Sequence, residues 1–420
     1  MGLPWRAVLV LGIGNMAHFY TICSLFSYAG FLTVELGWSS NVDRAGFVAG
    51  WLGTSLTLGR LPTAVLWGVA ADRYGRRPCI LLCFLSLIVG NILFGTTRSL
   101  RTALLVRFVF LGMGNGWVTI QGTVAGEIAG KALQSEVTAW MMASGSAVQL
   151  LGPAVAALLY GLAWPSYPAL APSLLGAGIA ALAFGFGLAW LPETAAASGT
   201  SKQKESTTSP ILLFGNSAFA IGTALRVVTG VVLFSTFDVL PLWGIASRRS
   251  GGLALSRNHL ALVLCLSATA QLCFNIFVIS PLVRALGHRS TLRVASVAGA
   301  TALAAIPLVG RALCHESYPP QLAALTPLVA TFYSSGSLSF TAVTAIINNS
   351  VPDDLRGAAN GIATFFEAFG KAAGPTLGAT AFAVSIATWP GLKGAAITFL
   401  AMASALYAAA LATFKLHDGQ

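Results

Sequence analysis

The stretch Gly68-Val69-Ala70-Ala71-Asp72-Arg73-Tyr74-Gly75-Arg76-Arg77 closes one apolar run, 43–70, and opens the next, 78–97. So few residues between two helix-length apolar segments leave room for a tight turn and little else. Gly75 supplies a residue free to take φ > 0. Asp72 is placed to accept hydrogen bonds from free backbone N–H groups or from an Arg, and Arg73, Arg76 and Arg77 offer three cations to anionic headgroups. Such a turn suits the junction of two membrane-crossing helices.

Working outward, the rest of the chain has the same character. Of 420 residues, 56% are hydrophobic and 9% charged, and the mean hydropathy is +0.77. A soluble domain carries about 25% charged residues, so lipid must be the solvent for most of this surface. Crossing hydrocarbon takes about 20 apolar residues per helix. Apolar runs fall at 6–34, 43–70, 78–97, 101–124, 133–161, 169–190, 212–245, 258–283, 291–311, 320–346, 357–387 and 391–414. The predicted fold class is an all-α membrane protein of twelve transmembrane helices.

The one linker-like stretch, Ala195–Pro210, is rich in Ser and Thr and carries Lys202, Lys204 and Glu205 at the midpoint of the chain. It divides an N-terminal six-helix half, 1–194, from a C-terminal half, 211–420, as expected of two repeated halves joined by a cytoplasmic loop. With both termini cytoplasmic, the inner side takes the Arg73–Arg77 cluster together with Arg284, Arg289, Arg293 and Lys415. No segment before residue 7 has the length of a cleaved signal peptide, so the first span is expected to serve as its own anchor. The membrane is the plasma membrane or that of an organelle.

An internal repeat supports the two halves. Pro281-Leu-Val-Arg284-Ala-Leu-Gly287-His288-Arg289 follows the eighth span much as Asp72–Arg77 follows the second, and Gly152-Pro153 in the fifth span is echoed by Gly374-Pro375 in the eleventh.

Composition also excludes function classes. The net charge of +11 is scattered through short loops with no basic face, which argues against nucleic acid. The six cysteines lie almost all in apolar stretches; Cys79 and Cys83 share a helical face without His or carboxylate beside them and read as small packing residues. No G-x-x-x-x-G-K-[ST] stretch supports nucleotide-driven pumping. No hydrolase or metal-ligand constellation is present, so the chain is not expected to be an enzyme or to hold a cofactor or metal.

The spacing G-x3-D-R-x-G-R-R over Gly68–Arg77 is similar to the signature of the major facilitator superfamily, and the whole chain resembles that family. The resemblance implies a network in which Gly68, Asp72, Arg73, Gly75, Arg76, Arg77 and Glu127 hold the outward-open state at the inner face. Gly145-Ser-Ala-Val-Gln-Leu-Leu-Gly152-Pro153 resembles the antiporter motif of drug/proton exchangers, although Ala156-Ala157 stand where a Gly pair is typical. Ordinary close helix packing by small residues is the other reading of that stretch. Asn348-Asn349-Ser350-Val351-Pro352, Arg356-Gly357-Ala358-Ala359-Asn360-Gly361 and Lys371-Ala-Ala-Gly374-Pro375 look like the zinc-induced-facilitator-like branch, related to tetracycline/proton antiporters. Asp238-Val-Leu-Pro-Leu-Trp243 followed by Gly251-Gly252-Leu253 fits the same branch. Arg107 departs from it, standing one residue further from Gly112 and Asn115-Gly116 than the branch spacing.

Ionisable groups within spans are costly and normally face a protein interior with a partner. The candidates for a substrate or proton pathway are Asp238, Glu367, Lys371, Arg107, Asn115 and His18. Asp238, three residues before Pro241, suits proton uptake and release if buried, or caps a hydrogen bond near the outer interface. Glu367 and Lys371 stand four apart in the favourable order; they neutralise one another or face a cavity where substrate or proton separates them. Arg107 is the anion-binding candidate of the first half. His18 is a proton carrier or a hydrogen-bonded packing residue. The facing of Arg60 and Arg226 stays open.

The functional expectation is a secondary transporter of a small molecule or ion, working as a monomer in the lipid bilayer. The two halves would rock around a midplane site, with a proton gradient driving antiport or efflux. A uniporter or symporter, or a non-transporting receptor or scaffold, are the alternatives. Naked zinc is not inferred, because the spans lack a His/Asp/Glu cluster for it.

Overall fold

Helices cover the apolar runs, but one of them, Trp117–Leu159, continues through the break expected between 124 and 133, and glycines of positive φ mark only some of the helix ends. The computed structural model describes residues 4–162, 164–194, 215–312, 318–351 and 356–415. The expected linker Ala195–Pro210, Pro352 and Cys314 lie outside these. Described residues are helical with no strand. They form α1 (Trp5–Cys23), α2 (Ala29–Glu35), α3 (Ala45–Tyr74), α4 (Arg76–Thr96), α5 (Leu100–Val106), α6 (Trp117–Leu159), α7 (Leu170–Trp190), α8 (Ser217–Ile245), α9 (Arg257–Phe277), α10 (Ile279–Ala312), α11 (Tyr318–Asn349), α12 (Arg356–Thr388) and α13 (Leu392–Ala412).

Among the described residues, eight segments are long and apolar enough to cross a membrane. A shorter apolar helix covers Ala143–Leu159. Helices α3, α11 and α12 have the length but fall outside that group. Two of them carry Arg60, Glu367 and Lys371, and α11 carries Ser334, Ser335, Ser337 and Ser339. Polar residues lower the hydropathy of a span when it faces protein rather than lipid.

The chain separates into two compact units, one of residues 1–38 and 51–203, the other of 39–50 and 204–420. The core of the first gathers Leu11, Cys79, Cys83, Phe84, Leu87, Leu111 and Trp117. Its helices approach closely over glycines. A Cβ on Gly145 would lie 2.4 Å from Asn15 Nδ2, and one on Gly112 would lie 2.5 Å from the Leu56 carbonyl oxygen. Between α5 and α6 the chain takes π-helical turns over Arg107–Met113. A π-bulge accommodates one extra residue in a helix.

In the second unit α12 packs on α8 by the same device. A Cβ on Gly374 would lie 3.0 Å from the Val231 carbonyl oxygen, one on Gly378 would lie 2.6 Å from Ser235 Cβ, and Ser235 Oγ donates to the Gly374 carbonyl at 2.8 Å. Gly287 breaks α10 with φ +72°, as Gly75 separates α3 from α4 with φ +105°. The segment 39–50 is pinned within this unit: Asp43 accepts from the Ser247 backbone N–H and hydroxyl, both at 3.0 Å, and Thr376 donates to the Gly50 carbonyl at 2.9 Å.

Candidate functional site

The α3–α4 turn is built around carboxylates. Arg76, 8% exposed, reaches Asp72 at 2.5 Å and Glu127 at 3.2 Å. Thr194 donates its hydroxyl to the other oxygen of Glu127. Glu193, just after α7, accepts the backbone N–H groups of Arg76 at 2.9 Å and Arg77 at 3.2 Å, which are orphan donors at the start of α4. Arg77 donates to the Leu188 carbonyl at 2.5 Å. Asp72, Gly75, Arg76, Arg77 and Glu127 thus come together. Arg73 does not join them; it is exposed over the Tyr74 ring. Gly68 packs a bare face near Thr119. Glu193 and Thr194 were missed from sequence, although Pro192-Glu193-Thr194 at a helix end offers a polar signal.

Deeper in the same unit runs a chain of buried polar groups. Asn15 Nδ2 donates to the Met141 carbonyl at 2.6 Å, and Asn15 Oδ1 accepts from Trp117 Nε1 at 3.3 Å. The Trp117 backbone N–H donates to Asn115 Oδ1 at 3.3 Å, and Asn115 Nδ2 lies 3.0 Å from His18 Nδ1. His18 Nε2 lies 3.5 Å from Arg60 Nη2. His18 and Asn115 are buried at 1% and 0% exposure. Arg107 stands apart from this chain: its Nε donates to the Leu52 carbonyl at 2.7 Å and its guanidinium lies over Phe94.

The second unit holds a charge cluster. Glu367, 2% exposed, gives Oε2 to Arg226 Nε and Oε1 to Lys371 Nζ, both at 2.6 Å. Two cations share one carboxylate, leaving a net positive charge. The Arg226 guanidinium stacks over Phe340 at 4.5 Å, and Lys371 Nζ lies 5.4 Å from the Phe234 ring centre. Gly230 keeps α8 free of a side chain opposite Glu367, whose Cγ would sit 3.4 Å from an added Cβ. Arg226 is the partner that sequence spacing did not supply. Asp238 is buried at 1% exposure further along α8. Gly145, Gly152 and Pro153 lie on α6, Gly374 and Pro375 on α12, and each glycine faces a neighbouring helix. Among the described residues no cluster of three or more His, Cys, Asp or Glu has the makings of a metal site.

With these groups in place, comparison with known proteins settles the family. The model of the Major Facilitator Superfamily matches residues 9–375. The chain belongs to the major facilitator superfamily. This facilitator is 28% identical over 418 residues to a probable peptide/nitrate transporter of Arabidopsis thaliana, covering 90% of this chain and 84% of the relative. It is 27% identical over 424 residues to the Arabidopsis thaliana protein zinc induced facilitator-like 1, covering 91% of this chain and 85% of that protein. Its fold matches the crystal structure of a D-xylose–proton symporter with a TM-score of 0.75 at 15% identity, over 99% of this chain and 98% of that one. The facilitator is accordingly a multi-pass, all-α integral membrane transporter of the twelve-helix fold.

Proposed function

We propose that this facilitator exchanges a small solute for protons by alternating access, exporting the solute from the cytoplasm. The observation that carries the reading is the shared carboxylate of Glu367. A buried carboxylate between two cations is a three-way balance, and removing one partner leaves a buried charge uncompensated. Solute binds while ionised Glu367 holds Arg226 and Lys371 in place, and a proton on Glu367 breaks the cluster and expels the solute. Binding and protonation then favour opposite states, which is the thermodynamic requirement for exchange. The half-buried Lys371, with 34% of its side chain exposed, is the cation a solute would reach first. Asp238, the other buried carboxylate of α8, is the second proton carrier in this scheme. The turn around Arg76 is assigned to the cytoplasmic face, where its ion pairs would make and break with each cycle.

The likeness of the Gly145–Pro153 stretch to exchanger motifs and the relationship to zinc induced facilitator-like 1 support this reading. The test is uptake into proteoliposomes across a panel of small organic anions, cations and metal chelates, with and without an imposed pH gradient. Exchange predicts gradient-driven uptake that is lost in Glu367→Gln. Transport indifferent to the gradient, with no pH change in weakly buffered vesicles, would make the protein a uniporter instead.

A further inference from the structure

The buried chain around His18 has a consequence that follows from donor counting. Asn115 Oδ1 is fixed as an acceptor, because it faces the Trp117 backbone N–H. Its Nδ2 is therefore the group that faces His18 Nδ1, and Nδ1 must accept. An imidazole whose Nδ1 accepts is neutral and carries its single proton on Nε2. That Nε2–H points at Arg60 Nη2, 3.5 Å away, which is also a donor. A guanidinium has no acceptor, so these two groups cannot bond to one another. Arg60 Nε is likewise buried without an acceptor. Among the described residues no carboxylate lies at ion-pair distance from Arg60, since the pairs formed involve Asp72, Glu127 and Glu367 with other cations.

The site thus holds a positive charge and converging N–H donors, and it lacks an acceptor. Arg60 retains partial exposure near the middle of α3. We propose that Arg60 and the Nε2–H of His18, oriented by Asn115, form a binding subsite for an oxyanion, a carboxylate of the transported solute. A carboxylate oxygen placed between the two donors accepts from both, and the charge-assisted bond to the guanidinium supplies most of the affinity. A cationic solute is disfavoured there by the same charge. Use of the subsite in transport rests on the exchange reading above; its chemistry does not.

The test uses the full-length protein in detergent, labelled with ¹⁵N-histidine. The signal of His18 among the five histidines is assigned by its loss in His18→Gln. The expected result is the Nε2–H tautomer, with a shift of that signal on adding sodium benzoate or sodium citrate, relative to sodium chloride at matched ionic strength. Arg60→Gln should weaken the response roughly tenfold or more, as loss of a charged hydrogen bond does, and Arg60→Lys should keep part of it. An Nδ1–H tautomer would overturn the proposal, because His18 Nε2 would then accept from Arg60 Nη2 and the histidine would offer no donor to an oxyanion. A correct tautomer with no response to benzoate, citrate or inorganic phosphate would also overturn it. A response to phosphate alone would replace the carboxylate with an inorganic anion. Failure of gradient-driven exchange with the histidine result intact would sink the coupling and spare the subsite.

Discussion

Glu193 Oε2 occupies the space that a side chain on Gly75 would need, 2.5 Å from the position of a Cβ, while Glu193 Oε1 holds the Arg76 backbone N–H at 2.9 Å. The glycine at this turn therefore answers two demands. Its backbone, φ +105° and ψ 152°, is a conformation nearly confined to glycine, and its missing side chain admits the carboxylate that caps α4.

Gly75→Ala should cost about 1–3 kcal/mol from backbone strain alone, with displacement of Glu193 in addition. Glu193→Ala should cost about 1–3 kcal/mol by leaving amide groups unsatisfied. Thermal unfolding in detergent, read for both variants, checks this. Stability of Gly75→Ala equal to the parent would show that the turn relaxes freely and that Glu193 is not its cap.

The Glu367 cluster makes a coupled prediction. Glu367→Gln leaves Arg226 and Lys371 facing each other across a neutral amide, and breaking a buried ion pair in this way costs about 3–5 kcal/mol. Adding Arg226→Gln should recover a large part of that loss, because the remaining charge is the more exposed Lys371. Neither variant should show gradient-driven uptake. A double mutant no more stable than Glu367→Gln would mean that the cluster does not act as a unit.

Asp238 separates coupling from folding. Asp238→Asn keeps the shape of the side chain within α8 and should leave the protein folded, with solute binding retained and gradient-driven accumulation lost. Transport kinetics under imposed pH gradients provide the measurement. Accumulation at the parental level would remove Asp238 from the proton path.

The two close helix contacts should respond alike to added bulk. Gly378→Val drives methyl groups into Ser235 on α8, and Gly145→Val drives them into Asn15 on α1. Overpacking of this kind costs about 1–3 kcal/mol, and each variant should unfold at a lower temperature than its Ala counterpart. Equal stability of Ala and Val variants at either site would indicate that the helices move apart without penalty.

Much of the fold was legible in the sequence, because spanning a membrane is a local requirement. Each helix must satisfy its own backbone hydrogen bonds over a fixed apolar length, so run length, the turn at Gly75 and its echo at Gly287 all appear in one dimension. The pairing of Glu367 with Lys371 was legible for the same reason, as one turn of a helix separates them. The π-helical turns over Arg107–Met113 had no such local signal.

What only the tertiary structure decided concerns groups brought together from distant positions. Arg226 meets Glu367 across 141 positions of sequence, and a helix of weak amphipathic pattern does not announce which face its arginine takes. Glu193 reaches Arg76 from the end of another helix. His18 acquires its proton position from Asn115, and Asn115 acquires its orientation from one backbone N–H at the start of α6. Hydrophobicity is read along the chain, whereas the direction of a hydrogen bond is fixed only when donor and acceptor face each other in space. The sequence by itself therefore determined a bundle of membrane-crossing helices with a major facilitator turn at Gly75. Packing alone determined which of its buried charges are balanced and which donors await an acceptor.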